Sequence, residues 1–164
     1  MPAPQATSPA EIRRMVLVQL ALTTAFLVVV FVLLDGLDAD RPPWWLLALP
    51  IVVVAAGAAL AERAWLRVPP LAAETRDPEQ AALDAFVAQT TRKLVCCEGA
   101  LLVCAVLAFI SDRAGWLVLV AGVPGVLVLA FEIWPSARNL SLTEAMLDAN
   151  GVRSGLLETF EDAR

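Results

Sequence analysis

Four polar side chains lie inside or at the edges of long apolar runs: Gln19, Glu62, Glu98 and Glu132. In this 164-residue chain they are the residues whose types and positions could do chemistry. Glu98 is the acid placed deepest. It follows Arg92 and Lys93 by a few residues, about 7–8 Å from Lys93 along a helix that rises 1.5 Å per residue. A charged side chain at the centre of a membrane helix costs about 2.5–3.5 kcal/mol, and less near the interface, so Glu98 is expected to face protein and to find a partner. Gln19 at the matching depth of the first run, Thr23, and Arg13 or Arg14 reaching inward along their stems are the candidates. Two chemistries fit: Glu98 binds a proton or cation in a relay or small transporter, or it is a hydrogen-bonded acid that fixes helix register. Transport predicts that Glu98→Gln abolishes flux in proteoliposomes while fold and abundance survive, and unchanged flux would remove that reading.

Other reactive sets are weak. Cys96 and Cys97 are adjacent, so on a helix they point about 100° apart, and without a C-x-x-C pattern no metal site is expected. The chain has no histidine and no tyrosine, which excludes imidazole catalysis, histidine-ligated haem and histidine-containing zinc sites. No catalytic residue and no cofactor is expected. The net charge of −5 and the lack of a long basic cluster also exclude nucleic acid as a partner.

The elements that must position these residues are membrane helices. Hydrophobic residues make up 59% of the chain and the mean hydropathy is +0.72, far more than a soluble domain of this size needs for its core. Four runs account for the excess, with spans at about 15–34, 44–65, 93–110 and 114–134. Each is near the ~20 residues that cross a hydrocarbon core as a helix. The runs do not alternate as barrel strands would. The fold class is therefore all-α: a polytopic membrane protein whose four-helix transmembrane bundle is made of two antiparallel hairpins, with a short amphipathic connector helix and a short C-terminal cytoplasmic helix.

Residues 1–12 hold three prolines and read as a disordered tail. The first run is too long for a signal-peptide core and lacks a small-x-small cleavage site, so it reads as an uncleaved helix. It ends in a polar turn at 35–43. The second run carries Pro50, expected to kink it, and Ala55 and Ala59 at the spacing that lets a neighbouring helix approach. Asp77, Pro78 and Gln80 form a helix start, and the amphipathic segment 78–92 is expected to run unbroken into the third span, lying along the interface or on the bundle. Ser111-Asp112-Arg113 is a turn so short that the fourth helix must return beside the third. Gly115, Ala121, Gly122 and Gly125 give that fourth helix a small face. Ser141 to Glu144 reads as a capping box opening a short helix that Asn150-Gly151 closes, with another short helix after Ser154.

Charge sets the orientation. With both termini and the 62–93 connector on one side, that side holds Arg13, Arg14, Arg63, Arg67, Arg76, Arg92, Lys93, Arg138, Arg153 and Arg164, against Arg41 and Arg113 opposite. The termini are therefore expected in the cytoplasm. Trp44, Trp45 and Trp116 fall at outer ends and Trp65 and Trp134 at inner ends, as interface anchors would. The halves also echo each other: Arg13-Arg14 with Gln19, and Arg92-Lys93 with Glu98, are two cations, four apolar residues and a polar side chain repeated at an offset of 79. Arginine makes up all but one of the 12 cations, which together with the alanine, valine and leucine load indicates a high-GC bacterial source.

Residues 92–138 resemble the C-terminal hairpin of small, uncharacterised four-span bacterial integral membrane proteins: an arginine enters the span, Glu98-Gly99-Ala100-Leu101-Leu102 lies inside it, and Pro135-Ser136-Ala137-Arg138 follows the last span. The resemblance implies four spans in the bacterial inner membrane and no assigned activity. The functional expectation is a non-enzymatic accessory, regulatory or self-associating membrane subunit, whose partners are the lipid bilayer and either a second copy or another membrane protein. A small proton- or cation-coupled transporter using Glu98 with Gln19, Glu62 and Glu132 is the alternative.

Overall fold

A computed structural model of the chain describes residues 8–37, 42–111 and 114–163. Among these residues every regular element is helical: α1 (Pro9–Leu33), α2 (Trp44–Glu62) running on into a 3-10 turn (Arg63–Arg67), α3 (Pro78–Phe109), α4 (Ala114–Ile133), α5 (Ala137–Leu147) followed by a 3-10 turn (Asp148–Asn150), and α6 (Leu156–Asp162). Residues 1–7 of the expected tail, Asp112, and the cations Arg41, Arg113 and Arg164 of the charge argument lie outside the described residues.

Local chemistry sets the helix starts, and two of them differ from expectation. The tail was expected to run to residue 12, but α1 already begins at Pro9. Ser8 accepts from the Glu11 amide at 3.3 Å while Glu11 Oε2 accepts from the Ser8 amide at 2.9 Å, a reciprocal cap that satisfies two orphan donors. Ile12 is 1% exposed, so this first turn is part of a core. Asp77 caps α3 as its sequence indicates, accepting from the Gln80 amide at 3.0 Å, and the helix then runs unbroken. The capping box assigned to Ser141 is not used. Ser136 caps α5 instead, accepting from the Asn139 amide at 3.3 Å, and Ser141 sits inside the helix with its hydroxyl donating to the Arg138 carbonyl. Gly151, at φ 83°, closes the following turn in the left-handed region that favours glycine.

Among the described residues, three helices are long and apolar enough to cross a membrane: Pro9–Leu33, Trp44–Arg67 and Gly115–Ile133. α3 is different in kind. Its first half is amphipathic, and its apolar second half, 94–109, interrupted only by Glu98, is about 24 Å long at 1.5 Å per residue.

The four long helices share three stacked apolar layers. Val16, Ala61, Cys97 and Leu129 form one, Leu27, Val54, Leu101 and Ala121 the next, and Val30, Ala108, Leu117 and Val118 the third. α3 and α4 pack most extensively on each other, α2 lies against both, and α1 lies mainly on α4. α1 and α2 make at most marginal contact, so the first expected hairpin is open while the second is tight.

Small residues explain the tight contacts, though not all at the expected sites. Ala55 and Ala59 face outward; α2 meets α3 through Gly57, where a Cβ would fall 2.6 Å from the Ala100 Cβ and 3.1 Å from the Cys96 carbonyl oxygen. In α4, Ala121, Gly122 and Gly125 are buried as expected. Gly57→Ala should therefore destabilise the fold by about 1–3 kcal/mol, whereas Gly99→Ala, with nothing within 4 Å, should not. Thermal unfolding in detergent separates the two.

The connector and the C-terminal segment form more than a tail. The first half of α3, α5, α6 and the first turn of α1 enclose a separate apolar core that includes Ile12, Leu83, Phe86, Leu140, Leu147 and Phe160. The Leu71 amide donates to the Leu147 carbonyl at 2.8 Å, tying the 68–71 stretch to α5. Arg13 completes this cap: its guanidinium lies 5.6 Å from the Phe160 ring centre and donates to the Phe160 and Ala163 carbonyls at 2.9 and 3.1 Å. A cation there satisfies the free carbonyls at the end of α6. The two ends of the described chain therefore meet at the same end of the molecule.

Candidate functional site

Two polar clusters are built into the helices, and they divide the expected site residues between them. The first joins Glu98 to Gln19. Gln19 Nε2 donates to Glu98 Oε1 at 2.7 Å, and the Thr23 hydroxyl donates to the same oxygen. Thr23 follows Gln19 by four residues, so the two donors lie one turn apart on one face of α1. Glu98 is half-buried beside an open groove of about 230 Å³ between α1 and α3, where Leu22, Phe26 and Leu102 surround the polar group. Arg13, a candidate partner, points instead to α6.

An interhelical hydrogen bond within a membrane contributes about 0.6 kcal/mol on average and up to about 1.7. Thr23→Val, which keeps the shape and removes one donor, should accordingly lower stability by about 1 kcal/mol. Glu98→Gln, which preserves an acceptor, should cost less, and chemical unfolding of both variants in micelles checks the order.

The second cluster lies where α2, α3, α4 and α5 meet at the cap. Lys93, 1% exposed, donates to Glu132 Oε2 at 2.7 Å and to the Glu132 carbonyl at 3.4 Å, and its ammonium sits 3.8 Å from the centre of the Trp65 ring. Burying two charges is costly unless geometry and extra hydrogen bonds compensate, and here the ring face and the carbonyl supply the additional contacts. Asn139 Nδ2 donates to the carbonyls of Phe131, Glu132 and Trp134, satisfying acceptors left open where α4 ends. Arg138 Nη2 pairs with Glu62 Oε1 at 2.7 Å, its Nη1 donates to Asn139 Oδ1 at 3.1 Å, and the guanidinium lies over the Phe131 ring.

The four expected site residues thus form two groups. Gln19 and Glu98 are in contact, and Glu62 and Glu132 belong to the Arg138 and Lys93 cluster; Glu98 hydrogen-bonds to neither of them. Among the topology determinants, Arg14 and Arg92 are exposed, with Arg92 donating to the Arg67 carbonyl at 3.2 Å, while Lys93 is buried. Trp44 and Trp45 are 79% and 61% exposed, Trp134 is 38% exposed and Trp116 half-buried, but Trp65 is only 9% exposed and serves as the floor under Lys93 instead of an interface anchor. Asn139 was not anticipated, although Ser136 three residues before it is the cap signal that fixes its place.

No protein-family model, curated protein or solved structure matches this chain. Among the described residues, no group of three or more histidine, cysteine, aspartate or glutamate side chains is placed to hold a metal ion.

Proposed function

We propose that the chain is a four-span integral membrane protein of the bacterial inner membrane, in which α1–α4 cross as two hairpins and the cap and both termini face the cytoplasm. In this reading it is a non-enzymatic accessory, regulatory or self-associating subunit, akin to small four-span membrane proteins. The observation that carries the reading is where its apolar surface lies. Leu22, Val52, Leu127 and Phe131 are 58–66% exposed on the long helices, a surface suited to lipid or another helix. The cap end, where Arg13 meets α6, is also the end that gathers nine cations among the described residues, which the positive-inside rule assigns to the cytoplasm.

The polar clusters favour assembly over transport. Glu62 and Glu132 are engaged by Arg138 and Lys93, and Glu98 by donors on α1, so the three acids do not form one hydrogen-bonded relay. Isolation in mild detergent tests the proposal. A stoichiometric membrane-protein partner is the expected result. A chain that purifies alone and supports ion flux, lost in Glu98→Gln, would replace it with the transporter reading.

A further inference from the structure

The Glu98 groove has one property that its internal bonds leave unmet. Gln19 and Thr23 both donate to Oε1, and Oε2 accepts no hydrogen bond among the described residues. Three of the cations at this end of the molecule are engaged elsewhere, Lys93 with Glu132, Arg138 with Glu62, and Arg13 with the end of α6, and Arg14 is exposed five residues before Gln19 on α1 and makes no bond to Glu98. Intramembrane ionisable groups pair with one another, and an acid beside an apolar groove without a cation is incomplete.

Size and depth narrow what completes it. At about 230 Å³ the groove is below the ~300–1,000 Å³ typical of small-molecule sites, but it accepts one long side chain. Glu98 lies about 7–8 Å beyond Lys93 along α3, inside the apolar stretch and above the level of headgroup amines, so the donor must be carried on a helix. A second copy has little to offer at this depth: it presents Gln19, Thr23 and another Glu98, the first two already committed, its Lys93 is buried, and its Arg14 lies about 7–8 Å nearer the inner end. We infer that the groove between α1 and α3 takes the lysine or arginine side chain that a transmembrane helix of a different membrane protein carries at this depth, its cation donating to Glu98 Oε2. This assignment rests on the accessory-subunit reading and names the chemistry of the partner.

The probe is a synthetic leucine-alanine transmembrane helix with one lysine about five residues from its inner end, roughly the depth of Glu98, and a twin with leucine there. Energy transfer between labelled helix and labelled full chain in lipid vesicles reads association. The lysine helix is expected to associate about tenfold more strongly than its twin. Glu98→Gln, which keeps an acceptor for Gln19 and Thr23, should remove the difference; Leu102→Trp, which fills the groove and leaves the acid, should remove it too. Equal association of the two helices would overturn the inference, as would a lysine preference indifferent to both substitutions. Self-association abolished by Glu98→Gln would also overturn it, by marking the groove as a contact between copies. These outcomes leave the accessory reading standing on another face, whereas a chain that fails to float with vesicles defeats that reading itself.

Discussion

Replacing Lys93 by methionine should destabilise the folded protein by about 3–5 kcal/mol, the cost of stranding a buried charge whose partner has been removed. Lys93 and Glu132 have side chains 2% and 3% exposed, so the abandoned carboxylate gains almost no solvent. The Lys93 carbonyl contact and the cation over Trp65 are lost at the same time. The double variant Lys93→Met, Glu132→Leu should recover most of this loss, because two apolar side chains of similar volume need no compensation. Asn139 still holds the carbonyls at the end of α4 in both variants. Unfolding in detergent, compared across the double-mutant cycle, measures the coupling, and additive losses would show that the two residues act independently.

Phe160→Ala is the second large effect, about 3–5 kcal/mol for an aromatic ring removed from a core. Phe160 is 1% exposed, packs edge-on against Phe86 at 5.7 Å between ring centres, and lies under Arg13. The loss is local by geometry. The three layers between the long helices contain no residue of α5 or α6. The variant should therefore release the cap while α1–α4 stay packed, and limited proteolysis should cleave near Arg153 in the variant well before the parent. If the whole molecule unfolds in one step at a lowered temperature, cap and bundle are a single cooperative unit.

Hydropathy and capping made the long helices legible, because lipid admits only helices and barrel strands and these runs do not alternate, and Asp77-Pro78 marks a helix start on its own. The contact between Gln19 and Glu98 was also within reach, since an uncompensated acid at membrane depth must turn to a polar group at the same depth. The sequence did not reveal how α1 and α2 lie relative to each other. Their connection permits a hairpin, but α2 is drawn to α3 by Gly57, which admits Ala100, while the outward Ala55 and Ala59 only resemble a contact face.

Lys93 and Trp65 show a different limit. Cations and indoles at the ends of spans are ordinarily read as facing headgroups, and only the arrival of Glu132 from α4 makes burial of both favourable. The cap was hidden because its core is assembled from five separate segments, none apolar enough alone to announce it. Ile12 belongs to a stretch that three nearby prolines make look unstructured.

The account depends most on α3 crossing the membrane, since its apolar half is the shortest and carries Glu98. With Cys96, Cys97 and Cys104 replaced by alanine, single cysteines at Ser111, at the far end of α3, and at Asn150, in the cap, can be labelled with a membrane-impermeant maleimide. Ser111→Cys should react in right-side-out vesicles and Asn150→Cys only in inverted ones. Labelling of both from the same side would contradict the four-span arrangement and the placement of Glu98 within the bilayer.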